Sequence, residues 1–84
     1  MDKILIYSPE EGFREAIKLI LADDHELILT DSLEQANDVI KNAKIKLVLA
    51  DKDNAETFQT QNPTVRVFPI KKPIKSDELL KACK

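Results

Sequence analysis

The chain has 84 residues and a mass of 9.5 kDa, with 43% hydrophobic and 33% charged residues, one Gly and four Pro. That composition excludes collagen-like, low-complexity and disordered classes, and no apolar stretch approaches the ~18 residues of a membrane span. Thirteen Lys and Arg against 15 Asp and Glu leave a net charge of −2, which gives no electrostatic footprint for nucleic acid or an anionic membrane.

Lys3 to Tyr7 (KILIY) is a short run of β-formers stopped by Ser8-Pro9, as in a buried strand. Ser8-Pro9-Glu10-Glu11 then reads as a helix start, with Ser at the N-cap, Pro at the first helical position and Glu at the third. Phe13, Ala16, Ile17, Ile20 and Leu21 make one helical face. Glu26 to Thr30 (ELILT) predicts a second strand, and Ser32 with Gln35 a second capping box. Leu33, Ala36, Val39, Ile40 and Ala43 form the face of that helix. Residues 45–50 (IKLVLA) predict a third strand, apolar without alternation and therefore covered on both sides.

The stretch 55–61 carries few apolar residues, and the reading is a helix of one or two turns with Asp53 as cap. Residues 65–70 (VRVFPI) predict a fourth strand, and Ser76-Asp77-Glu78 start a last helix with Leu79, Leu80 and Cys83 inward. Strands alternating with helices imply an α/β fold, a small doubly wound parallel sheet of four strands. The expected order is 2-1-3-4, flavodoxin-like, in a single domain over residues 1–84. A chain of this mass exposes roughly 5,000 Å² when folded, enough to enclose a small core.

Ligands of such sheets bind at the carboxyl ends of the strands, where strand order reverses. Ser8 and Glu10, Asp51 and Asp53, and Lys71 and Lys72 fall there. Asp51 facing a lysine reads either as an acceptor or metal site, or as a cap of the following turn paired with that lysine. His25, at the opposite end, has no second His or Cys at metal spacing. Cys83 is the single cysteine, so no disulfide framework exists, and it reads as a small core residue. Gly12 is the single glycine, so there is no phosphate-cradling loop.

The order of elements over residues 3–51, Asp51 at the end of LVLAD, and Lys72-Pro73 within KKPIKSDELL resemble the receiver domains of two-component response regulators. The resemblance implies that Asp51 stands at the phosphoacceptor position and Lys72 at the family's lysine. Three departures accompany it. Ser8-Pro9 occupy the place of the acidic pair that binds Mg²⁺, and Val67-Phe68-Pro69 supply no hydroxyl at the end of the fourth strand. Asp51 and Lys72 are 21 positions apart, where a full receiver holds a further helix and strand. The shortened form is expected to act as a degenerate, non-enzymatic signalling module without a cofactor, through a protein partner or self-association.

A regulatory place at the N-terminus of a transcription regulator fits that expectation. No nucleic acid, membrane or small-molecule substrate is expected for this segment. The alternative is a working receiver phosphorylated at Asp51 with Mg²⁺. Met1-Asp2-Lys3-Ile4 lacks the pattern of a signal peptide, and a cytoplasmic location is expected. The last helix has no Gly or Asn cap, as if a longer protein could continue beyond Lys84.

Overall fold

The computed structural model describes residues 3–22, 25–71 and 74–82. The elements run β1 (Lys3–Tyr7), α1 (Glu11–Leu21), β2 (Glu26–Thr30), α2 (Leu33–Asn42), β3 (Leu47–Asp51), α3 (Lys52–Gln61), β4 (Val67–Ile70) and α4 (Ser76–Ala82). The strands form one sheet in the order β2-β1-β3-β4, as expected, and every pair is parallel. The exposed surface is 5276 Å², in line with the scaling estimate.

The two central strands explain the layering. Along a strand, successive side chains point to opposite faces. Ile4 and Ile6 of β1 and Leu47 and Leu49 of β3 therefore face one layer, where Phe13, Ile17 and Leu21 of α1 meet Leu79 and Ala82 of α4. Leu5, Tyr7, Val48 and Ala50 face the other, against Ala36 of α2 and Ala55 and Phe58 of α3. Both strands are apolar at these positions because both of their faces are dry.

Local boundaries depart from expectation in three places. Helix α1 starts at Glu11 with Glu10 as its N-cap and no side-chain cap. Ser8 is therefore outside the helix, and its buried hydroxyl is committed elsewhere. Helix α3 is a full ten residues, capped by Asp51 and not by Asp53. Strand β4 starts at Val67, because Val65 N donates to Asn62 O at 3.1 Å and closes a turn there. By contrast, Ser32 caps α2 as expected, its Oγ accepting from Gln35 N at 3.2 Å. Of the residues expected inward on α4, Leu79 is buried, Leu80 is exposed to solvent, and Cys83 lies outside the described residues.

A low-propensity helix such as α3 holds its place through tertiary packing. Its anchor is Phe58, fully buried, with its ring centroid 5.7 Å from that of Tyr7. A chain of this length has a total stability of about 4–13 kcal/mol. Phe58→Ala is expected to remove about 3–5 kcal/mol of it, read as a drop in the urea midpoint with a broadened baseline from α3.

Candidate functional site

Tyr7, at the end of β1, and Asp51, at the end of β3, bring the two central strands to the same edge of the sheet. A crevice of about 520 Å³ opens there, lined by Pro9 and Glu10 from the β1–α1 connection, Asp51 to Asn54 from the start of α3, and Ile70 and Lys71 from the end of β4. This is the switch point that strand order defines. Asp51, Asp53, Glu10 and Lys71 line it. Lys72, and with it any pairing to Asp51, lies outside the described residues.

Ser8 takes a different role from the one its sequence position suggests. It is fully buried, beneath the crevice. Its hydroxyl donates to Asp51 Oδ2 at 2.7 Å. The same oxygen accepts from Glu10 N at 3.2 Å. Arg14, one turn into α1, donates from its guanidinium to Ser8 O at 2.6 Å. Ser8 N donates to Thr30 O at 3.2 Å. Every polar group of Ser8 is thus bonded, which is the condition for burying it at no net cost.

Asp51 is equally occupied. Its Oδ1 accepts from Asn54 N at 3.0 Å and from Asn54 Nδ2 at 2.7 Å. The first is the N-cap bond of α3, placing a negative charge at a helix start. A carboxylate offers about four lone-pair positions. Ser8 and Asn54 fill three of them with the hydrogen bonds above. Mg²⁺ takes near-octahedral oxygen ligation, usually from one or two carboxylates with several waters. Among the described residues no three His, Cys, Asp or Glu side chains come together to hold a metal ion.

Asn54 and Arg14 were not singled out by sequence reasoning. Asn54 carries a faint signal, a polar side chain three residues after a capping Asp. Arg14 carries none, because its bond to Ser8 O depends on how the β1–α1 connection folds back over the helix. Tyr7 looks like an ordinary strand residue, yet burial raises its phenol above 10.0, with the charge of Asp51 as a second, smaller cause.

Two comparisons with known proteins give nothing: no protein-family model matches the sequence, and no curated protein matches it. Solved structures do. The chain is similar to a response regulator receiver domain protein from Clostridium thermocellum, with a TM-score of 0.78 at 18% identity, over 98% of this chain and 90% of that one. It is similar to a CheY-like receiver domain protein from Methanospirillum hungatei JF-1, with a TM-score of 0.79 at 16% identity, over 99% and 90%. A third is the chemotaxis protein CheY4 of Vibrio cholerae, at 0.76 and 14%, over 99% and 96%. At such identities the likeness is one of fold, and the chain has the CheY-like receiver fold.

The Tyr7 phenol supplies a pH test. Its raised value means the folded state keeps the proton after the unfolded chain has released it. The contribution is fully present below pH 10.0 and is lost as pH climbs through the folded value. Stability is therefore expected to fall above that pH with a slope of at most about 1.4 kcal/mol per pH unit from this group. The measurement is the difference between the parent chain and Tyr7→Phe in urea melts across the alkaline range. Asp51→Asn should move the ultraviolet phenolate transition of Tyr7 to lower pH.

Proposed function

We propose that the chain is a degenerate receiver-like signalling module, which binds a protein partner or a second copy of itself and does not pass on a phosphoryl group. The observation that carries this reading is the state of Asp51. Asp51, which the resemblance sets at the phosphoacceptor position, caps α3 and accepts from a buried serine. A phosphoryl transfer needs a free attacking oxygen and a partner that offsets the charge of the incoming group. In this crevice Ser8 occupies one of the two lone pairs of Oδ2, and among the described residues no three metal-ligating side chains come together for the second.

A module of this kind has no enzymatic turnover, no cofactor and no small-molecule substrate, and it serves as the regulatory N-terminal part of a transcription regulator. The near-balanced charge supports a protein partner over nucleic acid. No helix among the described residues is long and apolar enough to cross a membrane, which agrees with a proposed cytoplasmic setting.

One observation favours the runner-up, a working phosphoacceptor. Glu10, Asp53 and Lys71 share the crevice with Asp51, so charged groups of both signs surround it. Incubation with acetyl phosphate and Mg²⁺ separates the two. The expected result is no mass increase of one phosphoryl group, and Asp51→Asn should leave partner binding within about twofold of the parent. A phosphoryl adduct that disappears in Asp51→Asn would replace the degenerate reading with the runner-up.

A further inference from the structure

The two outer strands of the sheet, β2 and β4, have no further strand beside them among the described residues, and they are not alike. Val48 N donates to Arg66 O at 2.9 Å, in the register that sets Val48 beside Val67. In a parallel pair, alternate residues turn both main-chain groups to the neighbour. Arg66, Phe68 and Ile70 therefore face β3, and Val67 and Pro69 face outward. Pro69 has no N–H, so the outer side of β4 is missing a donor where a further strand would need one.

The β2 edge has the opposite character. Ser8 N donates to Thr30 O at 3.2 Å, in the register that sets Tyr7 beside Thr30. Glu26, Ile28 and Thr30 thus turn their main-chain groups to β1. Leu27 and Leu29 present theirs outward, each with an N–H and a C=O. Edge strands are ordinarily blunted by Lys, Pro or a bulge. Strand β2 (ELILT) contains neither Lys nor Pro, and its register against β1 runs unbroken from Glu26 to Thr30. Its Leu27, Ile28 and Leu29 are only half-buried.

The outward groups are symmetric about Ile28, and that symmetry selects the partner. A second copy laid antiparallel, with a two-fold axis at Ile28, sets Leu27 against Leu29 of the other copy, and the reverse. Each of these two pairs exchanges both of its hydrogen bonds. Ile28 meets Ile28 and Leu27 meets Leu29, so apolar pairs form on both faces. Glu26 meets Thr30, and no like charges face each other. One step further, His25 meets Asp31, a complementary pair at each end. There the ladder stops, because His25 N is already bonded to Leu21 O at 3.2 Å and Asp31 N to Gln35 Oε1 at 3.4 Å. The same operation at β4 would set Val67 against Pro69 and lose half of its main-chain bonds.

We propose that the chain self-associates through β2, two copies joining antiparallel into one continuous sheet. The proposal deepens the interaction-module reading and rests on it, by naming a second copy of this chain as a partner. The interface is one strand wide, at the small end of specific interfaces, so the association is weak and concentration-dependent.

Sedimentation equilibrium of the full chain tests it, together with amide exchange at rising concentration. The expected result is a monomer–dimer equilibrium with a dissociation constant on the order of 10–100 µM. Exchange at Leu27 and Leu29 should slow with concentration, and exchange at Val67 should not. Ile28→Lys sets like charges on the two-fold axis and should weaken the dimer about tenfold or more. The ends of the ladder give a second handle that spares the core. His25→Asp should weaken the dimer, and adding Asp31→Lys should restore it.

A chain that stays monomeric at millimolar concentration overturns the proposal. So does a dimer whose Leu27 and Leu29 amides exchange as in the monomer, or one that ignores these substitutions and breaks on Leu80→Glu in α4. The acetyl phosphate result does not depend on any of these. A monomer would therefore remove the β2 dimer and leave the interaction-module reading in place.

Discussion

The Asp51 carboxylate is the constraint around which the carboxyl end of the sheet is arranged. It stands where a central strand ends and a helix begins, half-buried, and a charge in that setting has to be met by donors. Ser8 supplies one from the β1–α1 connection, and Asn54 supplies two from the first turn of α3. One side chain therefore ties together two connections 43 positions apart in the chain. The tie is charge-assisted on each side, the stronger class of hydrogen bond. Phe58 against Tyr7 continues the same attachment one layer down, so α3 is held at its start by polar bonds and at its middle by rings.

Much of the fold could be read from residue patterns, because the informative elements are those in which local and long-range preferences agree. ILIY and LVLA, residues 4–7 and 47–50, are apolar throughout, as a strand covered on both faces requires, and they belong to the two central strands. Ser32 and Gln35 mark the start of α2 through a purely local bond. Where the pattern misleads, a distant partner decides the matter. Ser8-Pro9-Glu10-Glu11 has the form of a capping box, yet the Ser8 hydroxyl reaches Asp51 and the helix begins later. Helix α3 has little apolar periodicity, and its length is set by the Asp51 cap and by Gln59 and Asn62 closing its far end. Those partners are local, but their bonds are polar and leave no mark in an apolar period.

The candidate site shows the same division. Asp51, Asp53, Glu10 and Lys71 could be placed at the switch point from topology alone, because strand ends converge there whatever the side chains do. The cap by Asp51 is one of the two readings the residues allow, and the structure shows it; the bond from Ser8 is not legible, since it turns on a partner 43 positions away. A carboxylate at this position can attack a phosphoryl group only with an oxygen to spare. Two ordinary side chains, a serine and an asparagine, remove most of that freedom without changing the fold. The bonds from Ser8 and Asn54 make this carboxylate a structural joint between the two connections.

A double-mutant cycle on Ser8 and Asp51 tests that account most directly. Ser8→Ala, Asp51→Ala and the double variant are compared with the parent by urea denaturation. A structural joint predicts that each single change costs about 1–3 kcal/mol, with a coupling of about 1.5–3 kcal/mol, as for a hydrogen bond to a charged group. Asp51→Ala should be the costlier of the two, because the α3 cap goes with it. Additive effects with no coupling, or an Asp51→Ala chain as stable as the parent, would contradict the account.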